Sequence, residues 1–313
     1  MKTQPRFVVP ITLALTLVFL TAGVSGIIAA DKPDSAKIER LTGLKGAFNE
    51  RENVFKVSVP RADAKVTVDE WVMPSFMGLT SWAAFMPGKT AEATVMGDLV
   101  LFQDEVNPAM SVALDAGLEV TALHNHFFFD EPKVYFMHIG GEGSVPQLAT
   151  GVRAALDKVK EIRAANPQPA KSFGGLIPSE NSITAKPLED VFGVRGQSNH
   201  GMFKAVFGRQ TKMECGCDVG KEMGVNTWAA FAGTDDNALV DGDFVVHEDE
   251  LQSVLKSLRK ARINIVAIHH HMVGESPRMI FLHYWGRGPA RELANAVQTA
   301  LKATKTTIGK AQP

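Results

Sequence analysis

The chain has 313 residues, enough for two domains that each bury a core. A hydrophobic content of 45%, a charged content of 21% and a net charge of -1 describe a globular protein and argue against nucleic acid as a partner, because phosphate contacts need a basic face. The two cysteines, Cys215 and Cys217, cannot build a disulfide framework, so stability must come from burial.

Lys2 and Arg6 precede an uncharged apolar run from Phe7 to Val24, and the small residues Ser25, Gly26, Ala29 and Ala30 follow. That is the order of a secretory signal peptide, here assigned to residues 1–30, with cleavage after Gly26 or Ala30. The alternative is an uncleaved anchor, since the run approaches spanning length. Pro10 and the small-residue end favour cleavage. The product is then periplasmic or secreted, with no stable membrane span. No cysteine follows the run, so a lipid attachment site is lacking.

Beyond this segment the chain is written twice. Met77-Gly78 and the run Ser81 to Phe85 return as Met223-Gly224 and the run Thr227 to Phe231. Gly97-Asp98 returns as Gly242-Asp243, Asp104-Glu105 as Asp249-Glu250, and Met137-His138 as Leu282-His283. His124, Asn125 and His126 return as His269, His270 and His271. Fixed-offset self-similarity of this kind marks a duplication. The copies are placed at residues 38–164 and 188–304, joined by a Pro-, Ser- and Gly-rich linker at 165–187.

Each copy predicts the same elements. A strand runs through Trp-Ala-Ala-Phe, and a second follows at 98–102 or 243–247. A helix comes next at 105–116 or 250–261, with Asp104 or Asp249 at its N-cap. Two strands follow at 119–127 and 133–139, or 263–272 and 278–284, and a helix closes the unit at 145–164 or 289–304. The fold class expected is α+β: tandem units, each an antiparallel sheet with two helices in a ferredoxin-like arrangement, related by a pseudo-twofold axis.

Strand alternation then organises the histidines. Leu118, Val120, Ala122, His124 and His126 share one face, as do Ile263, Ile265, Ala267, His269 and His271. His138 and His283 continue the apolar faces of the next strands, and a hairpin would bring each within side-chain reach of its pair. Crowded imidazoles repel when protonated and need partners when neutral. A divalent metal answers both demands, zinc first and copper or iron next. Glu105 and Glu250 are the candidate general bases. Asp98 with Asp243, and Asp130 with Glu275, are further acidic partners, although caps and turns explain many such acids equally well. Trp82 and Trp228 read as core aromatics, and His200 and His247 as surface or rim residues.

The blocks Met77 to Phe85, Val120 to His126, Ser276 to Arg278 and Leu282 to Trp285 resemble the LppY/LpqO family of duplicated exported bacterial proteins, which carry a domain of unknown function. The resemblance implies an envelope location and a shared fold, and brings no established reaction or cofactor. Three functions follow from the residues. The first is a metal-binding protein acting as a metal-dependent hydrolase or lyase. The second is a non-catalytic module for a small-molecule ligand or envelope component, bound between the copies. The third is a metal carrier that also uses Cys215 and Cys217.

Overall fold

In the first copy the chain forms α1 (Ser35–Thr42), β1 (Gly46–Asn49), β2 (Val54–Pro60), β3 (Thr80–Pro87), β4 (Ala93–Phe102), α2 (Gln103–Asp115), β5 (Glu119–His124), β6 (Val134–Gly143) and α3 (Val145–Ala165). The second repeats the order as α4 (Ala185–Phe192), β7 (Gln197–Asn199), β8 (Met202–Gly208), β9 (Asn226–Gly233), β10 (Ala238–His247), α5 (Leu251–Lys260), β11 (Asn264–His269), β12 (Met279–Gly288) and α6 (Ala290–Lys302). This computed structural model describes residues 32–304, so residues 1–30, expected from the sequence to be a signal peptide, lie outside the described residues. The architecture is α+β, with six helices and one large antiparallel sheet.

Each copy has three helices where the sequence predicts two, and two further strands at its outer edge. The added helices, α1 and α4, are eight residues long, too short for apolar periodicity to announce them. Asp34 caps the first by accepting from the Lys37 amide, and Gly43, at φ 68°, ends it. The predicted caps of the longer helices are corrected. Phe102, not Asp104, is the N-cap of α2, and the Asp249 region is a short 3-10 turn, Glu248–Glu250, leading into α5.

Twelve strands lie in the order β1-β2-β3-β4-β6-β5-β11-β12-β10-β9-β8-β7, which reads the same from either end in terms of the two copies. Period-two alternation divides the residues between two faces. Val95, Leu99 and Leu101 of β4 pack beneath the helices in the main core, while Val100 and Phe102 join Val66, Leu79, Val134 and Phe136 on the opposite face. In the second copy Val225, Val245, Met279 and Phe281 form the matching minor cluster.

The copies meet at β5 and β11, where Leu123 stands opposite Ile268. Each strand carries a bulge nearby, between Val120 and Ala122 and between Ile265 and Ala267. A bulge releases backbone groups from the ladder, and buried ones must find other partners. Here the other copy's helix provides them. Asn107 of α2 gives Nδ2 to the Ile265 carbonyl at 3.1 Å and takes the Ile265 amide at 2.8 Å. Gln252 of α5 does the same for Val120, at 3.0 Å for both bonds.

Candidate functional site

Register assembles the site on the face away from the helices. Trp82, Asp98, His138 and Ala122 lie side by side across β3, β4, β6 and β5. Trp228, Asp243, His283 and Ala267 do so across β9, β10, β12 and β11. His124 stands opposite Phe136, and His269 opposite Phe281, one step diagonal to the third histidine of each copy.

The rings converge accordingly. His124 lies 5.1 Å from both His126 and His138, centroid to centroid. His269 lies 5.1 Å from His271 and 4.9 Å from His283. The second histidine of each motif is past the strand end, yet its ring is fixed by stacking: His126 on Phe136 at 3.3 Å and His271 on Phe281 at 3.5 Å. All six predicted histidines are therefore gathered into two triads. Alternation from the Leu123–Ile268 pair turns His124 and His269 to the same face. As diagonal neighbours on adjacent strands, their Cα atoms are about 7–8 Å apart.

An aspartate completes each triad. Asp98 and Asp243 are buried, and His271 Nε2 lies 3.8 Å from Asp243 Oδ2. The same two atoms are left buried without a hydrogen-bond partner in both copies: Oδ1 of Asp98 and Asp243, and Nδ1 of His124 and His269. Leaving such an atom unsatisfied costs about 1–3 kcal/mol; the Asp243 carboxylate as a whole is still held by backbone hydrogen bonds from Leu282 and Phe244. Nε2 of His269 and of His271 approach to 3.2 Å. Two nitrogens bound to one tetrahedral zinc ion at about 2.0–2.1 Å would be separated by about 3.3 Å. Among the described residues no group of three or more His, Cys, Asp or Glu side chains is placed so that it could hold a metal ion as it stands.

Burial and neighbouring histidines favour the neutral form of three of these imidazoles, His126, His269 and His271. Burial, then the nearby His283, His271 and His270, lowers the His269 pKa to about 4. Burial and His283 lower that of His271. Burial and His124 lower that of His126, against the pull of Asp98. Burial raises the Asp243 carboxyl to about 6, although His283 opposes the shift. Neutral imidazoles present the lone pairs that metal ligation needs.

The predicted general bases are placed elsewhere and engaged differently. Glu105 is fully buried and takes Arg61 through two bonds, at 2.7 and 3.0 Å, with Arg163 Nε at 2.8 Å. It also accepts the Phe102 amide at 2.8 Å, as a capping-box residue. Glu250 meets Arg209 at 2.5 and 3.2 Å and accepts the His247 amide at 2.8 Å. A general base needs a lone pair facing the substrate, and these oxygens face guanidinium groups and backbone. Asp104 pairs with Arg163. Asp130 and Glu275 likewise hold the starts of β6 and β12, accepting the amides of Val134 and Met279 at 2.6 and 2.9 Å.

Trp82 and Trp228 are half-buried on the open face, not in the core, with the ammonium groups of Lys56 and Lys204 over their rings at 4.2 and 4.1 Å. Their recurrence opposite a recurring Gly-Asp pair was the available signal. Cys215 and Cys217 are exposed on a turn closed by the Met213 amide bonding to the Cys217 carbonyl at 2.9 Å. A hydrogen bond from Cys217 lowers the Cys215 pKa. His200 is exposed. His247 lines a cavity of about 690 Å³ between the copies, with Glu119, Gln252, His270 and Arg278.

Against known families, one model matches residues 36–158 and 186–303, taking in both triads and both aspartates. The chain belongs to the family described as Domain of Unknown Function (DUF1259). The two matched segments make it a duplicated member. A comparison with curated proteins gives no match. Among solved structures, the trimeric bacterial microcompartment shell protein PduB aligns at 13% identity over 82% of this chain and 89% of its own. The TM-score is 0.22, too low to carry an argument. No helix among the described residues is long and apolar enough to cross a membrane.

Proposed function

We propose that the protein binds one divalent metal ion in each copy, through His124, His126, His138 and Asp98 in the first and His269, His271, His283 and Asp243 in the second. The observation that carries this reading is the identical pair of orphaned buried atoms beside each triad. Three imidazoles and one carboxylate suit zinc first, with copper or iron next. In its enzymatic form the ion supplies Lewis acidity for a metal-assisted hydrolysis or lyase reaction. The histidines and aspartates hold it, and the Phe136 and Phe281 stacks orient one ring in each set.

A non-catalytic module for a small ligand or envelope component is the second reading, favoured by the cavity between the copies. The exposed Cys215 and Cys217 favour the metal-carrier variant. Export to the periplasm or medium rests on the N-terminal pattern and on the LppY/LpqO resemblance. A strand order that mirrors itself supports the pseudo-twofold relation, and the run β4, α2, β5, β6, α3 supports ferredoxin-like kinship.

The test is elemental analysis of protein purified without chelator or a His-tag, alongside the doubles His124→Ala/His126→Ala and His269→Ala/His271→Ala. Near-stoichiometric metal for each copy, halved by either double, is the expected result. Folded wild-type protein that is metal-free and takes up no added zinc, copper or iron overturns the reading.

A further inference from the structure

Beside the second triad the open face of the sheet sinks into a trough of about 320 Å³. Its axis is one hydrogen-bonded row, Gln197, Lys204, Ala230, Asp241 and Trp285, crossing β7, β8, β9, β10 and β12. At the spacing of antiparallel strands that row is about 19 Å long. The next row outward, Asn199, Met202, Ala232 and Leu239, forms the other side. Asp241 and Trp285 are each two residues from a member of the site, Asp243 and His283, and point to the same face. The trough therefore runs beside the row that carries Asp243 and His283, although the triad itself does not line it.

Its lining has a definite chemistry. Ala230 and Ala232 make a low floor, Trp285 offers a half-buried indole, and Gln197, Asn199 and Asp241 stand exposed around it, while the Lys204 ammonium lies over the Trp228 ring. An aromatic face flanked by amides and one carboxylate matches a ring with apolar C–H faces and a hydroxyl rim. Most of the exposed lining is apolar, with Met202 and Leu239 beside the alanines, which suits the C–H faces of such a ring, and a small anion would not use the indole. The first copy differs at the deciding positions. Met96 stands where Asp241 does, Gly140 where Trp285 does, and Met86 where Ala232 does.

We infer that this trough binds a neutral oligosaccharide, lying across the strands with one end beside the His269 triad. Placing that end beside a metal rests on the function proposed above; sugar binding in the trough does not.

The experiment titrates neutral tetrasaccharides of glucose, mannose and N-acetylglucosamine into chelator-stripped full-length protein, followed by calorimetry and tryptophan fluorescence. Binding of at least one at millimolar affinity or better is expected. Trp285→Ala should weaken it about tenfold or more, and Asp241→Asn several-fold, with unchanged melting temperature. Gly140→Ala and Met96→Ala, in the first copy, should leave it unchanged. The double His269→Ala/His271→Ala, which removes metal from the second site, should keep sugar binding, so failure of one reading is separable from failure of the other. Absence of binding to all three sugars at 10 mM overturns the inference, as does binding that Trp285→Ala leaves intact.

Discussion

The two copies keep the same three histidines and one aspartate on the same strands, with the same phenylalanine stack and lysine-covered tryptophan beside them, and differ in the rows farther out. Beside the first set, Met96 two residues from Asp98 and Phe128 and Phe129 just after His126 are exposed and apolar. Beside the second, Asp241, Lys204 and Trp285 border a trough. Duplication supplied two equal sets of donors, and divergence acted on the walls. On the metal reading proposed above, the shared side chains serve one chemistry and the walls serve what each copy meets.

The sharpest way to break this comparison is to remove the donors one copy at a time. Asp98→Asn and Asp243→Asn should each lower metal content by about half, measured by mass spectrometry on purified protein. Loss at one site with retention at the other shows the copies are independent. Loss at both shows coupling across the seam between β5 and β11.

Next in size are the buried carboxylates. Glu105→Gln removes the charge that faces Arg61 and Arg163, and breaking such a pair costs about 3–5 kcal/mol. Chemical denaturation should show that loss, while metal content stays at the wild-type level. A fall in metal without a fall in stability would return Glu105 to the site.

The seam gives a smaller effect. Asn107→Ala strands two backbone groups of Ile265 and should cost about 1–3 kcal/mol. Gln252→Ala should cost less, because Gln252 is only half-buried and water can reach Val120. Equal losses in a denaturation series would remove that distinction.

The smallest effect concerns acid. The metal-free protein should show His269 titrating near pH 4 by NMR. Its folded pKa lies below the ordinary value of about 6.5. Between those values the unfolded chain binds more protons, so stability is full above about pH 6.5 and falls as pH drops toward 4. His269→Gln should flatten that part of the profile. A titration near pH 6.5 would show that the ring is not desolvated.

Much of this was legible from residues alone. The repeat and the long helices are written in local periods, which need no knowledge of pairing; the face of the histidines is not, because the bulges leave Val120 and Ile265 in the helix-side core and turn His124 and His269 to the other face. Asp98 and Asp243 could be named from recurrence only as two of several candidate acids, and their place beside the histidines was not legible in that way. Each lies about 40 residues from its histidine in sequence and meets it only because β4 pairs with β6 and β10 with β12. Glu105 and Glu250 misled for a related reason. Their arginines, Arg61 and Arg209, lie 44 and 41 residues upstream, in segments with no recognisable motif. The short edge strands and the amide clamps at the seam depend on contacts that local pattern does not encode.

The outermost strands have a separate consequence. A twelve-stranded sheet with long free margins would invite other chains to add to it, and unpaired edges are the usual template for fibrils. Here the margins, β1 and β7, are four and three residues long. A newcomer aligned on either would find only a handful of backbone groups to bond before the strand ran out. The duplication doubled the width of the sheet and left its borders too short to recruit.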